Sequence, residues 1–84
     1  MTVNYKNNRR KEWAKSFGNN LARIIFERGS TQKRIAIKSG ISEGTISKYV
    51  HGEQDPSLYA AVQIANALKC GIDNLVNFKF KHNN

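Results

Sequence analysis

The stretch from Thr31 to Val50, TQKRIAIKSGISEGTISKYV, leaves few ways for this chain to fold. It reads as two short helices, Gln32 to Ser39 and Glu43 to Val50, separated by the turn Gly40-Ile41-Ser42. Thr31 and Ser42 precede them as N-caps, since a hydroxyl oxygen can accept a bond from a first-turn amide that has no partner inside the helix. Gly40 stands where the first helix must end with positive φ, a conformation glycine adopts at little steric cost. Ile35, Ala36, Ile41 and Ile46 bring apolar surface to the inside of the corner, and the small Ala36 lets the two backbones approach. Lys33, Arg34, Lys38 and Lys48 stay outside. Two helices held at a steep angle by a glycine-containing turn can present the second to the major groove of DNA.

Flanking residues extend the pattern. Phe17-Gly18, Leu21, Ile24, Ile25 and Arg28-Gly29 precede the corner. Thr31-Gln32, Ala36, Gly40-Ile41-Ser42, Ile46-Ser47, Tyr49 and Gly52 lie within or beside it, and Pro56-Ser57-Leu58, Ile64-Ala65, Ala67-Leu68, Ile72-Asp73 and Leu75 follow. Together they resemble the Cro/repressor-type (XRE) helix-turn-helix domain over roughly Phe17 to Val76. The resemblance implies an all-α, compact five-helix, lambda-repressor-like DNA-binding domain, with helices 2 and 3 forming the motif, usually acting as a dimer on a palindromic operator.

Charge agrees independently. With 14 Lys+Arg against 6 Asp+Glu the chain carries +8, the balance of a protein that meets a polyanion. Residues 1–29 hold seven basic and two acidic side chains and residues 30–49 four and one, whereas residues 50–71 hold one and two. The excess thus lies on the N-terminal half and the corner. A generally basic soluble protein shares the total without this distribution.

Read in order, residues 1–11 form a polar arm ending in Arg9-Arg10-Lys11, a cluster suited to phosphates or the minor groove and equally readable as a solvated tail. A helix-turn-helix domain then spans residues 12–77. Its first helix runs from Glu12 to Arg28, with Phe17, Leu21, Ile24 and Ile25 as one apolar stripe and Trp13 packing beside Phe17. Gly18 inside it costs about 1 kcal/mol of helix propensity, which a close backbone contact would explain. After the corner, Pro56-Ser57-Leu58 starts a fourth helix in which Leu58, Ala61, Val62, Ala65 and Leu68 close the core, and Gly71 stops it. Asp73 caps a last short helix through Val76. The tail 78–84 opens with Phe78-Lys79-Phe80-Lys81, whose alternation fits a short strand as well as a frayed end.

The expected chemistry is recognition and not catalysis. No Ser/His/Asp or Cys/His set, paired-carboxylate site or Gly-rich phosphate loop stands out. Cys70 is the only cysteine and excludes an intramolecular disulfide, while its spacing from His51 and His82 suits no metal. No cofactor or small-molecule ligand is called for. No apolar run reaches membrane-spanning length and no signal-peptide pattern is present, so the expected setting is the cytoplasm.

Carried over by position, the resemblance places Ser42, Glu43, Gly44 and Lys48 at base edges. Lys48 suits the O6 and N7 acceptors of guanine, and Glu43 the N4 amine of cytosine. Gln32, Thr45, His51 and Ser57 would hold phosphates, joined by Arg9, Arg10 and Lys11. Plain capping accounts equally well for Thr31, Ser42 and Ser57. Gly44 departs from the pattern by bringing no side chain to the groove, which shifts weight to Lys48, water and DNA shape. A self-complementary patch of Leu75, Val76, Phe78 and Phe80 would make a homodimer; the competing reading folds these rings onto their own core. The reading is a sequence-specific transcriptional repressor on a double-stranded operator. Alternatives are a restriction-modification controller protein, an autoregulating antitoxin or, from another class, a protein-interaction module without specific DNA binding, which an exposed Ile37 would favour.

Overall fold

The computed structural model describes the backbone of residues 3–77 and the side chains of residues 9–77. Five helices follow one another: α1 (Val3–Glu27), α2 (Gln32–Ser39), α3 (Glu43–Val50), α4 (Leu58–Leu68) and α5 (Ile72–Leu75). Among the described residues there is no strand. The tail that held the alternating Phe78 and Phe80, and with it the expected strand, lies outside them.

Both helices of the corner have the bounds their caps dictate. Thr31 Oγ1 accepts the Arg34 amide at 3.1 Å, and Ser42 Oγ accepts the Thr45 amide at 3.1 Å. Gly40 ends α2 at φ 76°, with its amide on Ala36 O. Inside the corner Ile35, Ala36 and Ile46 are buried, and Ile41 is half-buried against them. Ser39 is buried as well, its hydroxyl donating to Ala36 O and accepting from the Ile41 amide, so the turn is closed by a side chain that the apolar pattern alone passed over.

α1 is the frame. Phe17, Leu21, Ile24 and Ile25 are buried along one side, and Trp13 stacks on Phe17 at 5.7 Å between ring centroids. Phe17 in turn meets the edge of Tyr49 on α3. A Cβ on Gly18 would stand 2.6 Å from Val50 O and closer still to Tyr49 O. The glycine is therefore where α1 and the end of α3 touch backbone to side-chain-free backbone, as its place inside a helix suggested.

Three boundaries differ from expectation. α1 begins at Val3 and not at Glu12, so residues 3–11, expected as an arm, continue the helix. No Gly or Pro interrupts that stretch, and the Arg10 guanidinium pairs with Asp55 in the α3–α4 connection (Nε to Oδ2 2.8 Å), tying this part of the helix to the domain. α4 ends at Leu68, because Lys69 takes the left-handed conformation (φ 57°) two residues before Gly71. Gly71 instead precedes α5, and Asp73 lies in the first turn of α5 and does not cap it. The buried face of α4 is Ala60, Ala61, Ile64, Ala65 and Leu68, while Leu58 and Val62, expected inside, are exposed. Leu58 occupies the first helical position, ahead of the turn where packing begins.

Leu75 requires a further correction. Placed in a dimer patch by sequence, it is fully buried in its own core, and its carbonyl accepts from Asn20 Nδ2 at 2.9 Å. α5 is thereby a plug that closes the core between α1 and α4.

Candidate nucleic-acid interface

The turn and α1 together decide which side of α3 faces outward. Ile46 and Tyr49 are buried, and burial raises the Tyr49 hydroxyl above its usual pKa. On a helix of 3.6 residues per turn this leaves Glu43, Gly44 and Lys48 outward, and all three are exposed. Gly44 and Lys48 are one turn apart, and nothing lies within 4 Å of where a Gly44 Cβ would stand. The first turn of α3 thus has an open face, bounded by Glu43 and Lys48.

Ser42 is exposed and serves as a cap, and its hydroxyl also donates to Thr45 Oγ1 at 2.9 Å. That leaves the Thr45 hydroxyl proton as the donor of this pair. His51 ends α3, and its Nδ1 lies 2.8 Å from Ser47 O. A carbonyl can only accept, so Nδ1 carries the proton and a neutral ring presents Nε2 as an acceptor.

Gln32 is the first residue of α2 and half-buried. Ser57 caps α4, accepting the Ala60 amide at 3.0 Å, and its side chain is exposed. Arg9, Arg10 and Lys11 lie exposed on α1. Arg10 is engaged by Asp55, so reaching a phosphate would require breaking that pair. Asp55 is the residue here that sequence reasoning missed, since only the fold brings positions 10 and 55 together. A shallow notch of about 300 Å³ beside the motif is lined by Lys33, Ala36, Ile37, Ile41, Ser42 and Glu43. Ile37 is 72% exposed there.

Of the proposed dimer patch, Val76 packs half-buried on the core, and Phe78 and Phe80 lie outside the described residues. Cys70 is half-buried, and burial pushes its thiol upward in pKa, the direction that disfavours the nucleophilic thiolate. Among the described residues no helix is long and apolar enough to cross a membrane, and no cluster of three His, Cys, Asp or Glu is placed to hold a metal.

Comparison with known proteins fits this geometry. A helix-turn-helix family model matches residues 21–75, which contain α2 through α5. The chain belongs to this XRE-type helix-turn-helix family, a family of DNA-binding regulators. It is 33% identical over 54 residues to an uncharacterized HTH-type transcriptional regulator, y4dJ, of Sinorhizobium fredii, a match covering 64% of this chain and 70% of that protein. Its fold is similar to that of the restriction-modification controller protein C.AhdI from Aeromonas hydrophila, with a TM-score of 0.72 at 24% identity over 74% of this chain and 94% of the other.

Proposed function

We propose that the chain is a sequence-specific transcriptional repressor that binds a palindromic operator as a homodimer, with α3 in the major groove. The observation that carries this reading is the division of α3 into a buried face, Ile46 and Tyr49, and an open face, Glu43, Gly44 and Lys48. Lys48 donates to guanine O6 and N7, Glu43 accepts from cytosine N4, and Ser42 with the bare Gly44 lets the helix end approach the bases. Gln32, Thr45, His51 and Ser57 hold phosphates, with Arg9, Arg10 and Lys11 along the flanking backbone. Val76, Phe78 and Phe80 supply the dimer contact, without Leu75.

Footprinting on the DNA upstream of the protein's own gene tests this. Two protected half-sites about 34 Å apart, one per recognition helix, are expected. Protection with no sequence preference would refute the specific reading. Truncation after Asn77 should leave a folded monomer with weakened operator binding; a dimer surviving truncation would refute the tail contact.

The exposed Ile37 supports one rival, a protein-interaction module. Under that rival the chain should bind an operator fragment no better than a random duplex, and a salt-dependent shift specific to the operator fragment would refute it.

A further inference from the structure

A second surface lies away from the reading helix. Between the end of α1, the outer side of α2 and the end of α4 runs a half-open cleft of about 410 Å³, and no residue of α3 lines it. Its volume suits a small molecule. Four cations line it: Arg28, Arg34, Lys38 and Lys69. No carboxylate lines it, and among the described residues none of the four has an acidic partner within salt-bridge distance. All four are exposed, two on α2 and one each just after α1 and α4; solvent screens part of their mutual repulsion, and a bound anion would relieve the rest.

The site is partly built in advance. Arg28 is pinned by its own bonds, Nε to Leu68 O at 2.9 Å and Nη2 to Lys69 O at 3.4 Å, which leave Nη1 without a partner among the described residues. Arg34 and Lys38 stand one turn apart on α2 and line the same side. Lys69 is the one non-glycine residue at positive φ among those described (φ 57°), at a helix end where glycine would rest without strain. Here the chain holds a cation in a costly backbone conformation, as strained positions at ligand sites do. Ser30 also lines the cleft, and its Oγ is the one buried side-chain polar atom among the described residues without a hydrogen-bond partner. That hydroxyl lacks an acceptor, and because it is sealed from solvent a rotation about its Cα–Cβ bond is needed for it to reach a molecule in the cleft.

We propose that this cleft binds a small multivalent oxyanion, of the class of a diphosphate or phosphorylated metabolite. Arg28, Arg34, Lys38 and Lys69 neutralise it, and Ser30 donates to one of its oxygens. The site is separate from the DNA-reading face and stands whether or not α3 reads an operator.

The test is thermal melting of the full chain with inorganic pyrophosphate, against sodium chloride at equal ionic strength. Wild type should show a saturable rise in Tm with pyrophosphate alone. The double variant Arg34→Gln/Lys38→Gln should bind pyrophosphate at least tenfold more weakly, and Arg23→Gln, whose cation lies outside the cleft, should bind as wild type does. Lys69→Gly separates binding from folding, because it relieves the left-handed strain: its Tm without ligand should hold or rise while pyrophosphate affinity falls. A rise in Tm matched by sodium chloride, or equal in all variants, overturns the proposal. So does a double variant that keeps its pyrophosphate affinity but loses affinity for random duplex DNA with a shallower salt dependence, since the cleft would then be a DNA backbone contact.

Discussion

The two faces of α3 obey different rules. On the inner face every position is decided by a neighbour: Ile46 is fully buried, Tyr49 meets Phe17, and the end of the helix lies so close to α1 that Gly18 alone fits beneath it. On the outer face Glu43, Gly44 and Lys48 are exposed, and a Cβ at Gly44 would meet nothing. Two glycines within reach of one helix thus serve opposite ends. Folding requires the first; the second is a departure from helix propensity that nothing inside the fold explains. The contrast separates positions that the core decides from positions that it leaves open.

Gly18→Ala should show the largest effect. The added methyl meets backbone oxygens that cannot turn aside, so despite better helix propensity the domain should lose about 3 kcal/mol, read as a fall in the urea midpoint. Unchanged stability would mean that α1 and α3 are not in contact at this point. Gly44→Ala should act in the other direction. An exposed helical Gly→Ala change contributes about 1 kcal/mol of added stability, and operator affinity should fall if the DNA backbone or a base edge approaches the bare position. The smallest effect belongs to Asp55→Asn. The Arg10–Asp55 pair is largely exposed on the arginine side, and removing it should cost at most about 1 kcal/mol. Freed from Asp55, Arg10 should then steepen the salt dependence of DNA binding by up to about 0.9 in the log–log slope.

The corner was legible because its signals are local. Thr31, Gly40 and Ser42 each act within four residues, and the bounds of α2 and α3 follow from them. α1 offered no such signal at its start: no breaker separates Val3 from Glu12, and the partner that tethers Arg10 lies 45 positions away. In α4 the run LYAAVQIANAL carries overlapping apolar stripes, and periodicity cannot choose between Leu58 with Val62 and Ala60 with Ile64. Packing against α2 chooses the second. Leu75 escapes the linear pattern for a related reason: a short helix near a tail reads as surplus, and only the fold brings its carbonyl to Asn20 Nδ2 and its side chain into the core. The outward residues Glu43, Gly44 and Lys48 were placed by the resemblance, position by position, and all three are exposed on α3. The cationic cleft was not legible, because its residues come from the turn after α1, from α2 and from the end of α4, and none of them stands out in the linear order.

The most direct test of the account is the affinity of wild type and Lys48→Ala for a footprinted operator and for a random duplex of equal length, measured by fluorescence anisotropy at one salt concentration. Loss of a base contact should reduce discrimination between the two duplexes by about 1–3 kcal/mol, nearly all of it on the operator and confined to one base pair per half-site. An equal loss of affinity for operator and random DNA would contradict the account, because Lys48 would then touch only phosphate and the open face of α3 would not be reading sequence.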